Sequence, residues 1–247
     1  MRHSQKLSIG TWLSIGSPIV TEQIAGFSFQ WLLFDLEHGC MTEANLLANM
    51  QVIGNKSTEC IVRLGDFKSA LVARVLDWGA AGIMVPHVNN AQQARECLLD
   101  MLYPPLGNRG YSSSARVYGY GLQPPEDIHK IPAPYFLAQI ENEEGVKNAE
   151  EIAAVDGVDV LFVGPSDLKM DLSSRPVGIT YEFQEALNIV AKAAHKYNKQ
   201  CGILVRNIDD IPHLRQLGYS CLAIGSDIGI LRSGYNDIIS KLGRRLL

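Results

Sequence analysis

The stretch Trp31-Leu-Leu-Phe-Asp35-Leu-Glu37-His38-Gly39 decides the fold. Its first half is apolar without alternation, and its second half gathers three ionisable side chains. A strand with one face in water alternates apolar and polar residues. An unbroken apolar run fits a parallel strand covered on both faces. The polar residues stand at the C-terminal end of the run only.

Seven further runs of the same kind surround it. They are Ile9-Gly-Thr-Trp-Leu13, Thr58-Glu-Cys-Ile-Val-Arg63, Gly82-Ile-Met-Val-Pro86, Tyr135-Phe-Leu-Ala-Gln-Ile140, Val158-Asp-Val-Leu-Phe-Val163, Gly202-Ile-Leu-Val-Arg206 and Cys221-Leu-Ala-Ile-Gly225. Longer stretches between them have helical character: 18–25, 42–53 with Thr42 as N-cap, 69–76, 91–101, 143–155, 181–197 and 208–217, with a last helix from Asp227. The Gly-, Ser- and Tyr-rich connection after Tyr103 is too long for an idle turn. Residues 164–168 read as a loop. Eight strand–helix units with no break in composition predict an α/β fold, a (β/α)8 TIM barrel, as one domain over residues 1–247.

The chain has 247 residues, enough for one large core, and is 47% hydrophobic and 19% charged, which excludes a disordered chain. Its net charge of −4, without a basic run, argues against a nucleic-acid partner. No stretch approaches the roughly 20 apolar residues that span a bilayer, and the N-terminus lacks an apolar signal region. Five scattered cysteines without a CxxC pair fit reduced thiols. A cytoplasmic protein without membrane attachment is expected.

In such a barrel the C-terminal strand ends face the reaction pocket. Here they carry Asp35, Glu37 and His38, then Arg63, then Gln139 and Glu141, then Gly164-Pro165-Ser166-Asp167, then Arg206. Glu141 and Asp167 follow adjacent strands, and two carboxylates in one pocket repel unless a cation or proton relieves them. A hard divalent ion, Mg²⁺ or Mn²⁺, is one solution, and pairing with Arg or Lys is the other. Arg63 is either a grip for a carboxylate or enolate oxygen or a rim salt bridge. His38, beside acidic residues, is either a base near neutral pH or an unrelated loop histidine. No lysine stands at a strand end inside the pocket. Lys68 and Lys169 read as loop residues, so a Schiff-base route has little support.

Together these segments resemble the class II, metal-dependent pyruvate aldolases of HpcH/HpaI type, the group of 4-hydroxy-2-oxoheptanedioate, 2-dehydro-3-deoxyglucarate and 2-keto-3-deoxy-rhamnonate aldolases. The resemblance rests on Gly10-Thr-Trp-Leu13, Trp31 to Gly39, Ile61-Val-Arg63, Gly82-Ile-Met-Val-Pro86, Tyr103-Pro-Pro-Leu-Gly-Asn-Arg-Gly110, Gln139-Ile-Glu141, Phe162-Val-Gly-Pro-Ser-Asp-Leu168 and Gly202-Ile-Leu-Val205. It implies a divalent ion, Mg²⁺ or Mn²⁺ with Co²⁺ also acceptable, held by Glu141 and Asp167. It implies that Arg63 contacts the keto oxygen, and that His38 is the acid/base group assisted by Asp35. Gln139 would orient ligand, and Gly164, Pro165, Ser166 and Leu204 would line the 2-oxo acid. Asp77 would reach into a neighbouring subunit's pocket. The implied assembly is a homo-hexamer, a trimer of dimers, with the last helix exchanged.

The implied reaction splits a 4-hydroxy-2-oxo acid into pyruvate and an aldehyde. The alternative on the same fold is a condensing enzyme, such as a siderophore-pathway citrate synthase using oxaloacetate and an acyl-CoA donor. A barrel that binds 2-oxo acids without turnover is a third reading. Three residues depart from the usual pattern: His87 where Met is common, and Lys169 and Arg206 where small residues are common. The two cations favour an acidic or phosphorylated aldehyde if they face the pocket, and mean little if they face solvent.

Overall fold

A computed structural model describes residues 6–54, 57–176 and 181–246. Strands β1 (Ser8–Leu13), β2 (Trp31–Asp35), β3 (Glu59–Arg63), β4 (Gly82–Val85), β5 (Tyr135–Ile140), β6 (Val160–Val163), β7 (Gln200–Val205) and β8 (Cys221–Ser226) pair in parallel, in chain order, and close into a barrel. Around it lie α1 (Pro18–Ile24), α2 (Glu43–Ile53), α3 (Ser69–Asp77), α4 (Ala91–Met101), α5 (Glu143–Lys147), α6 (Ala149–Ala153), α7 (Pro165–Ser173), α8 (Phe183–Lys196), α9 (Ile211–Leu217) and α10 (Asp227–Leu246). Among the described residues no helix is long and apolar enough to cross a membrane.

The unbroken apolar strands fill two cores at once. Successive side chains of a strand point to opposite faces. Trp31 and Leu33 pack inside the barrel with Trp12, Ile61, Leu137 and Phe162. Leu32 and Phe34 pack outside it, beneath the helices. That parity also aims the polar strand ends. Asp35 continues the inward series of Trp31 and Leu33, and Arg63 continues that of Ile61. Gln139 and Glu141 continue that of Leu137, and Gly164 that of Phe162. Strand register sets Asp35 directly beside Arg63.

Closure joins the chain's first and last strands. The Thr11 hydroxyl donates to the Ile224 carbonyl at 2.9 Å. The Asp227 carboxylate accepts the backbone N–H groups of Ser14 and Ile15, each at 3.0 Å. Beyond this anchored turn α10 runs outward, and every residue from 231 to 242 is exposed, including Leu231, Tyr235, Ile238, Ile239 and Leu242.

Three local expectations need correction. The predicted helix over 143–155 is broken into α5 and α6, because Asn148 leaves helical geometry and its side-chain amide donates to the Asn89 carbonyl. The expected loop at 164–168 is the start of α7, with Gly164 as N-cap and Pro165 in the first turn, where its missing N–H costs nothing. Lys169 therefore stands on a helix. The helix expected over 208–217 begins as a short 3₁₀ turn, Ile208–Asp210, before α9. The connection between α4 and β5 carries two further 3₁₀ segments, Arg116–Gly121 and Ile128–Lys130.

Candidate metal and active site

Asp35 organises the site from the end of β2. Its carboxylate takes a bidentate grip on Arg63, with Nε to Oδ1 at 2.9 Å and Nη2 to Oδ2 at 2.7 Å. It also accepts the Trp12 indole N–H at 3.0 Å and the backbone N–H groups of Glu37 and His38 at 3.0 and 3.2 Å. Asp35 thus positions His38 through the main chain. Glu37 pairs with Arg63 Nη1 at 2.6 Å, and the guanidinium lies over the Trp12 ring, 4.8 Å from its centroid. A guanidinium has five N–H groups. These contacts engage three nitrogens and leave two N–H groups for a ligand.

Arg63 borders a cavity of about 220 Å³ at the C-terminal mouth of the barrel. His38, Gln139, Gly164, Pro165, Ser166, Asp167 and Leu204 line it too, as does Arg206, with Trp12 and Phe162 as an aromatic wall. Of the residues expected at the site, Asp77 alone lies elsewhere in the chain. It ends α3 and pairs with Arg109 at 2.7 Å.

Glu141 is buried beside the cavity. Burial pushes its carboxyl up to about 7, the His87 backbone N–H opposes that rise, and the charges of Glu37 and Asp167 add to it. Its Oε1 accepts the His87 backbone N–H at 2.9 Å and lies 3.1 Å from the His87 ring Nδ1. A Cβ on Gly164 would fall 2.5 Å from Glu141 Oε2 and 2.8 Å from Gln139 Nε2, so a side chain there would displace both groups from the cavity mouth. Asp35 and Glu37 pair with the buried Arg63 guanidinium, Glu141 feels the charges of Glu37, Asp167 and Arg63, and so four acidic groups share the barrel mouth with one buried arginine.

That crowding of acidic groups is relieved by a cation or by a proton on Glu141. Glu37, His87 and Glu141 each offer a ligand atom, all within 4.8 Å of one another, and so form a triad fit for a divalent ion. The Oε1 of Gln139, which lines the cavity, is buried without a hydrogen-bond partner among the described residues. Glu141 belongs to both the expected and the observed acidic set. The role expected of Asp167 stays a proposal. Glu37 and His87 were given no ligand role by sequence. Glu37 was visible in the polar strand end, whereas His87 was visible only as an unusual residue after Pro86.

A second cavity, about 410 Å³, adjoins the first and shares Pro165, Ser166, Leu204 and Arg206 with it. Arg206 Nη2 donates to the Ser166 hydroxyl at 2.7 Å, and Lys169 Nζ lies 4.4 Å from the Phe183 ring centroid. Both cations thus border cavity space as well as solvent. Lys68, by contrast, is exposed and paired with Asp66 at 3.0 Å. Among the described residues, no lysine lines the first cavity.

The family model described as HpcH/HpaI aldolase/citrate lyase matches residues 8–233. The chain is 34% identical over 230 residues to a 5-keto-4-deoxy-D-glucarate aldolase of Klebsiella pneumoniae, covering 93% of this chain and 90% of that one. It is 34% identical over 236 residues to a hydroxypyruvate/pyruvate aldolase of Delftia acidovorans, covering 95% and 87%. A crystal structure of an HpcH/HpaI aldolase/citrate lyase family protein from Burkholderia cenocepacia superposes with a TM-score of 0.88 at 26% identity, covering 98% of this chain and 96% of that one.

Proposed function

The chain belongs to the HpcH/HpaI aldolase/citrate lyase family and is a metal-dependent carbon–carbon lyase, and from that premise we propose that it splits 4-hydroxy-2-oxo acids bearing a second acidic group into pyruvate and an acidic aldehyde. The observation that carries this reading is Arg63. It is buried and fixed by two carboxylates, yet it faces a cavity beside a cation-seeking cluster.

In the cleavage direction the 2-oxo acid lies between Arg63 and the first turn of α7. Backbone N–H groups at a helix start attract its carboxylate. His38 takes the proton of the 4-hydroxyl. The C3–C4 bond breaks, its electron pair moves toward C3 and the keto oxygen, and the aldehyde leaves. Arg63 faces that oxygen with fixed positive charge as the enolate forms. Return of a proton to C3 gives pyruvate. The wall of Trp12, Phe162 and Leu204 limits water around the charged intermediate. A divalent ion bound beside Glu141 supplies Lewis-acid withdrawal of negative charge from the substrate oxygens.

Arg206 and Lys169 border the second cavity, where the aldehyde fragment extends, and their charge suits an acidic end. The assembly is proposed to be a hexamer in which α10 covers a neighbour and Asp77 approaches a neighbour's pocket. The exposed apolar residues of α10 support that reading.

Pyruvate release from 4-hydroxy-2-oxo diacids, against neutral analogues, tests the proposal. Diacids are expected to win in kcat/KM, Arg206→Ala to narrow the gap, and a chelator to abolish turnover. A covalent adduct after borohydride with pyruvate, or full turnover without metal, would overturn it.

A further inference from the structure

His87 has a backbone φ of +53°, which side-chain-bearing residues rarely adopt. Nothing about the turn after β4 demands a histidine there, and its side chain is 58% exposed, so packing does not hold it. Such an outlier points to a site constraint. The left-handed turn brings the residue's backbone N–H and its ring Nδ1 to the same atom, Glu141 Oε1, at 2.9 and 3.1 Å. Two ligands on neighbouring vertices of an octahedral ion, each about 2.1 Å from it, stand about 3.0 Å apart. The ring nitrogen and carboxylate oxygen therefore already hold the separation of two donors sharing one ion. Glu37 supplies a third ligand atom within 4.8 Å.

We propose that the His87 imidazole is a metal ligand that makes this a mixed nitrogen–oxygen centre, selecting borderline ions such as Co²⁺ over Mg²⁺. The inference rests on the reading of the site as a metal centre and adds its ion preference. Carboxylates and water suit Mg²⁺, whereas an imidazole donor adds most to Co²⁺ and its neighbours and little to Mg²⁺. An apolar side chain at this position would leave an all-oxygen set.

The test measures binding, not turnover. Metal-free wild-type protein and His87→Asn are titrated calorimetrically with Co²⁺ and with Mg²⁺. Asn tolerates positive φ, so the variant keeps the turn while losing the imidazole. His87→Gly, which removes the side chain with even less strain, is the second variant. The proposal expects Co²⁺ affinity to fall at least tenfold in both variants while Mg²⁺ affinity changes less than threefold. Pulsed electron paramagnetic resonance of the Mn²⁺-loaded wild type is expected to show nitrogen coupling that disappears in both. Equal losses for the two ions, or unchanged Co²⁺ affinity, would overturn the ligand role while leaving the metal centre standing. Failure of the wild type to bind either ion would overturn the metal centre itself.

Discussion

Arg63 shows how one residue can carry structural and chemical duties together. Its bidentate bond to Asp35 and its contact with Glu37 neutralise two carboxylates that the strand register places at the barrel mouth. Arg63→Ala leaves both buried or half-buried acids without their partner, a loss on the order of 3–5 kcal/mol for a buried pair. The same change removes a fixed charge from the developing enolate, and the rate is expected to fall by roughly 10²-fold or more. Arg63→Lys keeps the charge but not the fork, so it should recover little of either. Steady-state kinetics and thermal melts read the two effects separately. A wild-type rate in Arg63→Ala would remove the residue from catalysis.

At the level of elements, the strands are legible because each is mainly apolar without alternation, and their polar ends name Asp35, Arg63, Gln139 and Glu141 without reference to packing. The start of α7 is also written in the chain, as a Gly-Pro pair in N-cap and first-turn positions, although the same pair punctuates loops. The break at Asn148 was not legible, since it depends on Asn89, distant in sequence. His87 escaped for a related reason: its direction comes from a left-handed turn and from Glu141 on the next strand. Helix α10 gives a prediction at this scale. Its first turn is tied to β1 through Asp227, whereas residues 231–242 are exposed despite their isoleucines, leucines and tyrosine. A chain ending at residue 230 should lose only the helical circular dichroism of α10 and drop to a single-subunit mass by light scattering. An unchanged mass would show that α10 holds no neighbour.

Across the whole molecule the thiols report how tightly the barrel is shut. Cys97, Cys201 and Cys221 are buried, Cys60 is half-buried, and Cys40 alone is exposed. Burial pushes the Cys60, Cys97 and Cys221 thiols up to about 12 and raises that of Cys201. A thiol with that value is thiolate in only about one molecule in 10⁴ at pH 8, and the thiolate is the reactive form. Ellman's reagent at pH 8 should therefore find at most one fast thiol in the folded protein and five after denaturation. Rapid reaction of three or more under native conditions would mean that the barrel opens far more readily than its packing implies.

The hydrogen bond from Thr11 to Ile224 spans 213 residues of chain. On the ribosome, where synthesis proceeds at about 5–20 residues per second, β1 waits roughly 10–40 s for its second neighbour. Throughout that interval the nascent chain carries an open sheet edge that only its own last strand can cover. Mutations that weaken β8 should accordingly lower the yield of newly made protein more than they lower the melting temperature of the finished molecule.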